Sequence, residues 1–100
     1  MTYFNREFNY KIIVKLLCEY KGLNERDSIK ILEDEDCKHL LFLLLKKYNC
    51  IDIDELNKDF SIDSKKKIDR RLKAAEKKLL YNKRIREMYF EAENLIQKIQ

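Results

Sequence analysis

Proline is absent from these 100 residues, and Gly22 is the only glycine. Proline breaks helices and glycine supplies the backbone freedom of tight turns, so a chain almost without either is free to be helical nearly throughout. It is correspondingly ill-equipped for an all-β fold. The length suits one domain and leaves no room for two. Charged residues make up 40% of the chain, which would favour disorder if the Leu, Ile, Phe and Tyr residues were not distributed among them at helical intervals. The expectation is therefore all-α, a small helical bundle of five to six helices.

Phe4, Phe8, Ile12, Ile13, Leu16, Leu17 and Tyr20 recur every three or four residues and predict one apolar stripe on a helix running to about Tyr20. Gly22 can stop it. Asn24 can cap a short second helix carrying Ile29, Ile31 and Leu32. The acids Glu33 to Asp36 suit the positive N-terminal end of a third helix, Cys37 to Tyr48. Its run Leu40-Leu41-Phe42-Leu43-Leu44-Leu45 is apolar on every side, which marks the most buried helix.

Asp52 can cap a fourth helix containing Ile53, Leu56 and Phe60. Ser61, Ile62 and Asp63 form a turn, and Asp63 or Ser64 caps a fifth helix from about Ser64 to Tyr81. Two helices so joined have the pattern of a helix-turn-helix. Beyond Asn82, the positions Ile85, Met88, Ala92, Leu95 and Ile99 do not continue the register of Ile68, Leu72, Ala75 and Leu79, so a break is expected between Tyr81 and Lys83. Residues 1–82 thus form the helix-turn-helix domain. Residues 83–100 form a C-terminal helix that packs on it or makes a dimer seam through Ile85, Met88, Tyr89, Ala92, Leu95, Ile96 and Ile99.

Charge divides the chain unevenly. Residues 1–63 hold ten Lys or Arg against thirteen Asp or Glu, and residues 64–100 hold twelve against five, so the parts carry −3 and +7. On the fifth helix, Leu72, Ala75 and Leu79 fall within about 40° of Ile68, while Lys66, Arg70, Lys73 and Lys77 fall between about 140° and 200° from it. One face is core and the opposite face is cationic. A helix of this kind fits the DNA major groove and would occupy the recognition position of a helix-turn-helix. The candidate DNA-contacting residues are Ser64, Lys65, Lys66, Lys67, Arg70, Lys73 and Lys77, with Lys83 and Arg84 reaching the flanking backbone. The expected partner is double-stranded DNA, the expected role a small transcriptional regulator or replication-accessory factor, and a homodimer would suit paired half-sites. The alternative is a non-enzymatic adaptor that uses the same fold to bind a protein through its C-terminal helix.

From Ile12 to about Asn82 the sequence resembles the C-terminal, DNA-binding domain of the bacterial replication initiator DnaA, a helix-turn-helix module related in fold to the Trp repressor. The resemblance lies in apolar spacing leading to Tyr20 and Gly22-Leu23, in the buried run Leu40 to Leu45, and in Ile53-Asp54-Glu55-Leu56-Asn57-Lys58-Asp59-Phe60. From Leu56 it is four residues to Phe60 and twelve to Ile68, as in that family. The family's Gly-Gly is Ser61-Ile62 here, and its Arg-Asp-His-Thr-Thr signature is replaced by Asp63-Ser64-Lys65-Lys66-Lys67, so recognition of the same DNA sequence is not implied. The family's basic loop corresponds to the acidic Glu33 to Asp36, and these 100 residues contain no nucleotide-binding domain, so an initiator ATPase is not expected.

Other chemistries lack their residues. A zinc site from Cys18, Cys37, His39 and Cys50 has no C-x2-C spacing, and residues 37 and 39 point about 200° apart on a helix. His39 has no catalytic neighbour in sequence and is expected at the surface or as a cap. The acids Glu33 to Asp36 lack the glycine and alternating ligands of a calcium loop, and a single glycine precludes every glycine-rich nucleotide motif. No cofactor, small-molecule substrate or catalytic group is expected. The longest apolar run is far short of a membrane span, and Arg6 and Glu7 stand where a signal peptide would be apolar. A cytoplasmic protein with reduced thiols is expected.

Overall fold

The computed structural model describes residues 6–99; Phe4, the first member of the expected N-terminal stripe, lies outside them. Among the described residues there are six helical segments and no strand. A helix that is apolar all round has to lie in the middle, and α2 (Glu35–Lys47) does. Every side chain from Leu40 to Leu45 is buried. Around it stand α1 (Arg6–Lys21), a 3₁₀ segment (Glu25–Glu33), α4 (Lys65–Tyr81) and α5 (Lys83–Ile99). The remaining helix, α3 (Ile53–Phe60), rests on the 3₁₀ segment.

The acidic stretch is used up in starting α2. Asp34 is its N-cap, accepting the amides of Asp36 at 3.0 Å and Cys37 at 2.8 Å. The same carboxylate pairs with Lys21 at 2.7 Å, tying the end of α1 to the start of α2. Together these hold the Asp34 carboxyl down at about 2, the Lys21 ammonium being the first cause and the Cys37 amide the second.

On α1 the buried face is rotated from the expected stripe. Tyr10, Ile13, Val14, Leu17 and Cys18 point inward, whereas Phe8 and Tyr20 are exposed. Two neighbouring apolar rows run along this helix, and the inner one contains Tyr10, whose phenol finds polar partners on α3. It donates to the Asp59 carboxylate at 2.9 Å and lies 3.2 Å from the Glu55 carbonyl. Helix α1 ends as Gly22 suggested. Its φ of +69° allows Leu23 to donate to the Cys18 carbonyl at 2.8 Å.

The second helix is a 3₁₀ segment kinked at Asp27, and Asn24 makes no side-chain cap bond to it. Side chains three residues apart line up in 3₁₀ geometry. Ser28 and Ile31 have that spacing and are the segment's buried residues. Ile29 is turned to solvent, and Leu32 packs at the edge of the core.

The break after α4 falls at Asn82, which is extended. Its side-chain oxygen accepts the Ile85 amide at 3.0 Å and so starts α5. Arg86 then reaches back, its guanidinium donating to the carbonyls of Leu79 (3.1 Å) and Leu80 (2.8 Å) and closing the C-terminal end of α4. Residues Ile85, Ala92 and Ile96 enter the common core, so α5 packs on the rest of the bundle. Cys18, Cys37 and Cys50 are free and buried.

Candidate nucleic-acid interface

The turn between α3 and α4 sets the direction of the basic helix. Helix α3 ends at Ser61, which is left-handed at φ 57° and ψ 34°. This lets the amides of Ser61 and Ile62 close back on the carbonyls of Asn57 (3.0 Å) and Leu56 (3.3 Å). Ile62 is buried and anchors the turn. Ser64 then caps α4 by accepting the Lys67 amide at 3.2 Å. Helix α4 lies mainly against α2 rather than α3, with Ile68 and Ala75 buried and Leu72 and Leu79 packed at the edge. A 2.6 Å ion pair between Lys46 and Glu76 joins α2 and α4.

With that face held inward, Lys65, Lys66, Arg70, Lys73 and Lys77 all stand in solvent. None of the five takes part in an ion pair among the described residues. The other candidates differ. Lys67 is paired with Asp63 at 2.8 Å, Lys83 with Glu87 at 3.8 Å, and Arg84 with Asp36 at 3.1 Å. Arg84 thus ties the start of α5 to the start of α2, a structural contact that competes with its expected reach toward a flanking phosphate. Ser64 is spent as the helix cap.

Of the residues expected at a dimer seam, Ile85, Ala92 and Ile96 are inside the monomer and unavailable to a partner. Met88 and Tyr89 are half-buried against the core. Leu95 and Ile99 remain open, at 42% and 54% exposure. Packing on the domain consumes the stripe because α5 folds back beside α2 and α4.

Several features escape a reading of α4 alone. Leu80 and Tyr81, 71% and 79% exposed, extend the outer face at its C-terminal end. Along one flank of α4 runs an open groove of about 480 Å³ whose far wall is Lys38 and His39 of α2, with Phe60, Ser61 and Ile62 of the turn at its end. Lys67, Arg70, Arg71 and Ala74 form the near wall. His39, expected at the surface or as a cap, is only 7% exposed, because it sits where α4 crosses α2. Burial and then the neighbouring Lys38 lower its pKa below the usual histidine range, favouring the neutral ring at pH 7.

Among the described residues no group of three or more His, Cys, Asp or Glu side chains could hold a metal ion. No described helix is long and apolar enough to cross a membrane. No family model matches the chain, and no curated protein or solved structure is significantly similar to it.

Proposed function

We propose that this chain binds double-stranded DNA through the solvent face of α4, as a small helix-turn-helix regulator or accessory factor. The observation that carries the reading is the row of five cations, Lys65, Lys66, Arg70, Lys73 and Lys77, exposed and unneutralised on one helix. From the first to the last the helix rises roughly 18 Å, about five base-pair steps of duplex. A charged helix face held only to keep a protein in solution is commonly laced with i,i+4 partners. This face contains a single acid at its edge, Asp69, which forms no ion pair among the described residues. Burial of Ile68 and Ala75, with α4 laid along α2, holds this face outward, and the sequence resemblance to the DnaA DNA-binding domain agrees with that role. Binding of the purified protein to labelled random duplex at low and high salt tests the reading, beside a variant with Arg70, Lys73 and Lys77 changed to alanine. Salt-sensitive binding that the variant loses is the expected result; no binding at low salt would overturn it.

A second reading rests on its own observation. Tyr20 and Leu95 border a shallow apolar groove between α1 and α5 that also includes Leu16 and Met88, with exposed Ile99 one turn further along α5. An adaptor using this face would take an apolar helix from a partner, or from a second copy, and would show no salt-sensitive DNA binding.

A further inference from the structure

We infer that the groove between α2 and α4 is a phosphate site, which takes a phosphodiester of bound DNA or the phosphate of a small phosphorylated molecule. The inference extends the DNA-binding reading to a part of the surface that α4 alone does not define. Lys38, Lys67, Arg70 and Arg71 converge on the groove, and no carboxylate lines it. The two arginines form no ion pair among the described residues. An arginine fork is well matched to phosphate oxygens, which it can hold through two parallel N–H bonds.

The lysines are engaged only locally, Lys67 with Asp63 at 2.8 Å and Lys38 with Glu35 at 3.0 Å. Asp63 and Glu35 are well exposed, and such surface pairs contribute little, so a phosphate can replace them as partner. The floor of the groove is closely packed. Phe60 and Ile62 are buried beneath the groove, and His39 is wedged between the two helices. A volume of about 480 Å³ falls within the range of small-molecule sites. A second wall from α2 and a lining without carboxylates distinguish it from the outer face of α4, where Asp69 stands among the cations. A phosphate seated here would fix the register of α4 on a duplex without reading any base.

The test uses the full chain with inorganic pyrophosphate as the probe, and labelled duplex DNA in parallel. His39 is the only histidine, so its ring signals in an NMR titration report on the groove wall without ambiguity. Pyrophosphate is expected to shift the His39 ring and the amides from Ser61 to Lys67 saturably. Arg71→Gln combined with Lys38→Gln should weaken that binding at least tenfold, with an unchanged melting temperature showing that the fold is intact. If the occupant is a DNA phosphate, the same double variant lowers duplex affinity several-fold and makes its salt dependence shallower. If the occupant is a free phosphorylated molecule, pyrophosphate binding is lost while duplex binding is unaltered. No saturable shift with pyrophosphate, together with wild-type duplex binding by the double variant, overturns the inference and leaves the α4 reading standing. Pyrophosphate binding that the double variant loses, in a protein that does not bind duplex at low salt, overturns the α4 reading and leaves the groove.

Discussion

Replacing Ser61 by glycine should stabilise the protein, and the size of the effect follows from one pair of backbone angles. Ser61 lies at φ 57° and ψ 34°, in the region where a β-carbon crowds the following carbonyl at a cost of about 1–2 kcal/mol. Glycine removes that cost but enlarges the conformational freedom of the unfolded chain, which returns about 0.4–1 kcal/mol. The net gain is about 0.7 kcal/mol. For a domain of this size that raises the melting temperature by about 3–6 °C, measurable by circular dichroism. Ser61→Val should move it the other way, because a β-branched residue is least at ease with positive φ. The turn at Ser61 joins α3 to α4, so the assay tests the backbone geometry from which the basic helix starts. A Ser61→Gly variant that melts below the wild-type temperature would show that residue 61 is not left-handed, and that the geometry of the turn is not as described.

Other expectations follow from particular contacts. Asp34→Ala removes the cap of α2 and should cost about 1 kcal/mol, whereas Asp34→Asn keeps a capping oxygen and loses the Lys21 pair. The Asp34 carboxyl lies at about 2 in the fold against an ordinary 3.8, so its contribution is complete above pH 3.8 and fades as pH falls toward 2. The difference in melting temperature between wild type and Asp34→Asn should therefore narrow across that window, and a constant difference would contradict the assignment. Burial pushes the Cys37 and Cys50 thiols up to about 12 and raises that of Cys18 as well. A thiol reagent at pH 8 should therefore label none of the three cysteines in the native protein and all of them in urea. Leu95→Glu should change stability by less than about 0.5 kcal/mol while Ile96→Ala costs about 2–5 kcal/mol. Equal losses by chemical denaturation would mean that α5 does not pack as described.

Much of this fold is legible in the sequence because its signals are local. In a chain without proline and with one glycine, the unbroken run from Leu40 to Leu45 reads as a central helix. Asp52, Ser64 and Gly22 mark helix ends by the chemistry of their own side chains or, for Gly22, by the lack of one; the acids Glu33 to Asp36 mark the start of α2 only as a group, and the structure selects Asp34 as the cap and begins the helix at Glu35 rather than Cys37. The register shift between Leu79 and Ile85 places the break that Asn82 makes. What the sequence does not disclose depends on which surface meets which. Tyr10 rather than Phe8 turns inward on α1 because α3, far along the chain, offers a carboxylate and a carbonyl to its phenol. Ile85, Ala92 and Ile96 carry the same spacing whether they face a second copy or α2, so only the packed structure assigns them to the core. The 3₁₀ segment has a similar apolar share to the α-helix α3, so composition and periodicity do not distinguish it from a short α-helix.

The candidate surface divides in the same way. The cationic face of α4 comes from angles along one helix and could be laid out from the sequence. The groove could not, since Lys38 and Arg71 belong to different helices and meet only when α4 crosses α2. Nor does the sequence show that Arg84 has an acidic partner on α2 while Arg70 and Lys73 have none among the described residues.

The salt dependence of duplex binding tests the account most directly. If four cations of α4 neutralise phosphates, the logarithm of affinity should fall against the logarithm of salt concentration with a slope of roughly −3.6. Removing Arg70 or Lys73 singly should make the slope shallower by about 0.9 each. A slope that stays the same in those variants, or duplex binding indifferent to salt, would contradict the claim that the solvent face of α4 is a DNA-binding surface.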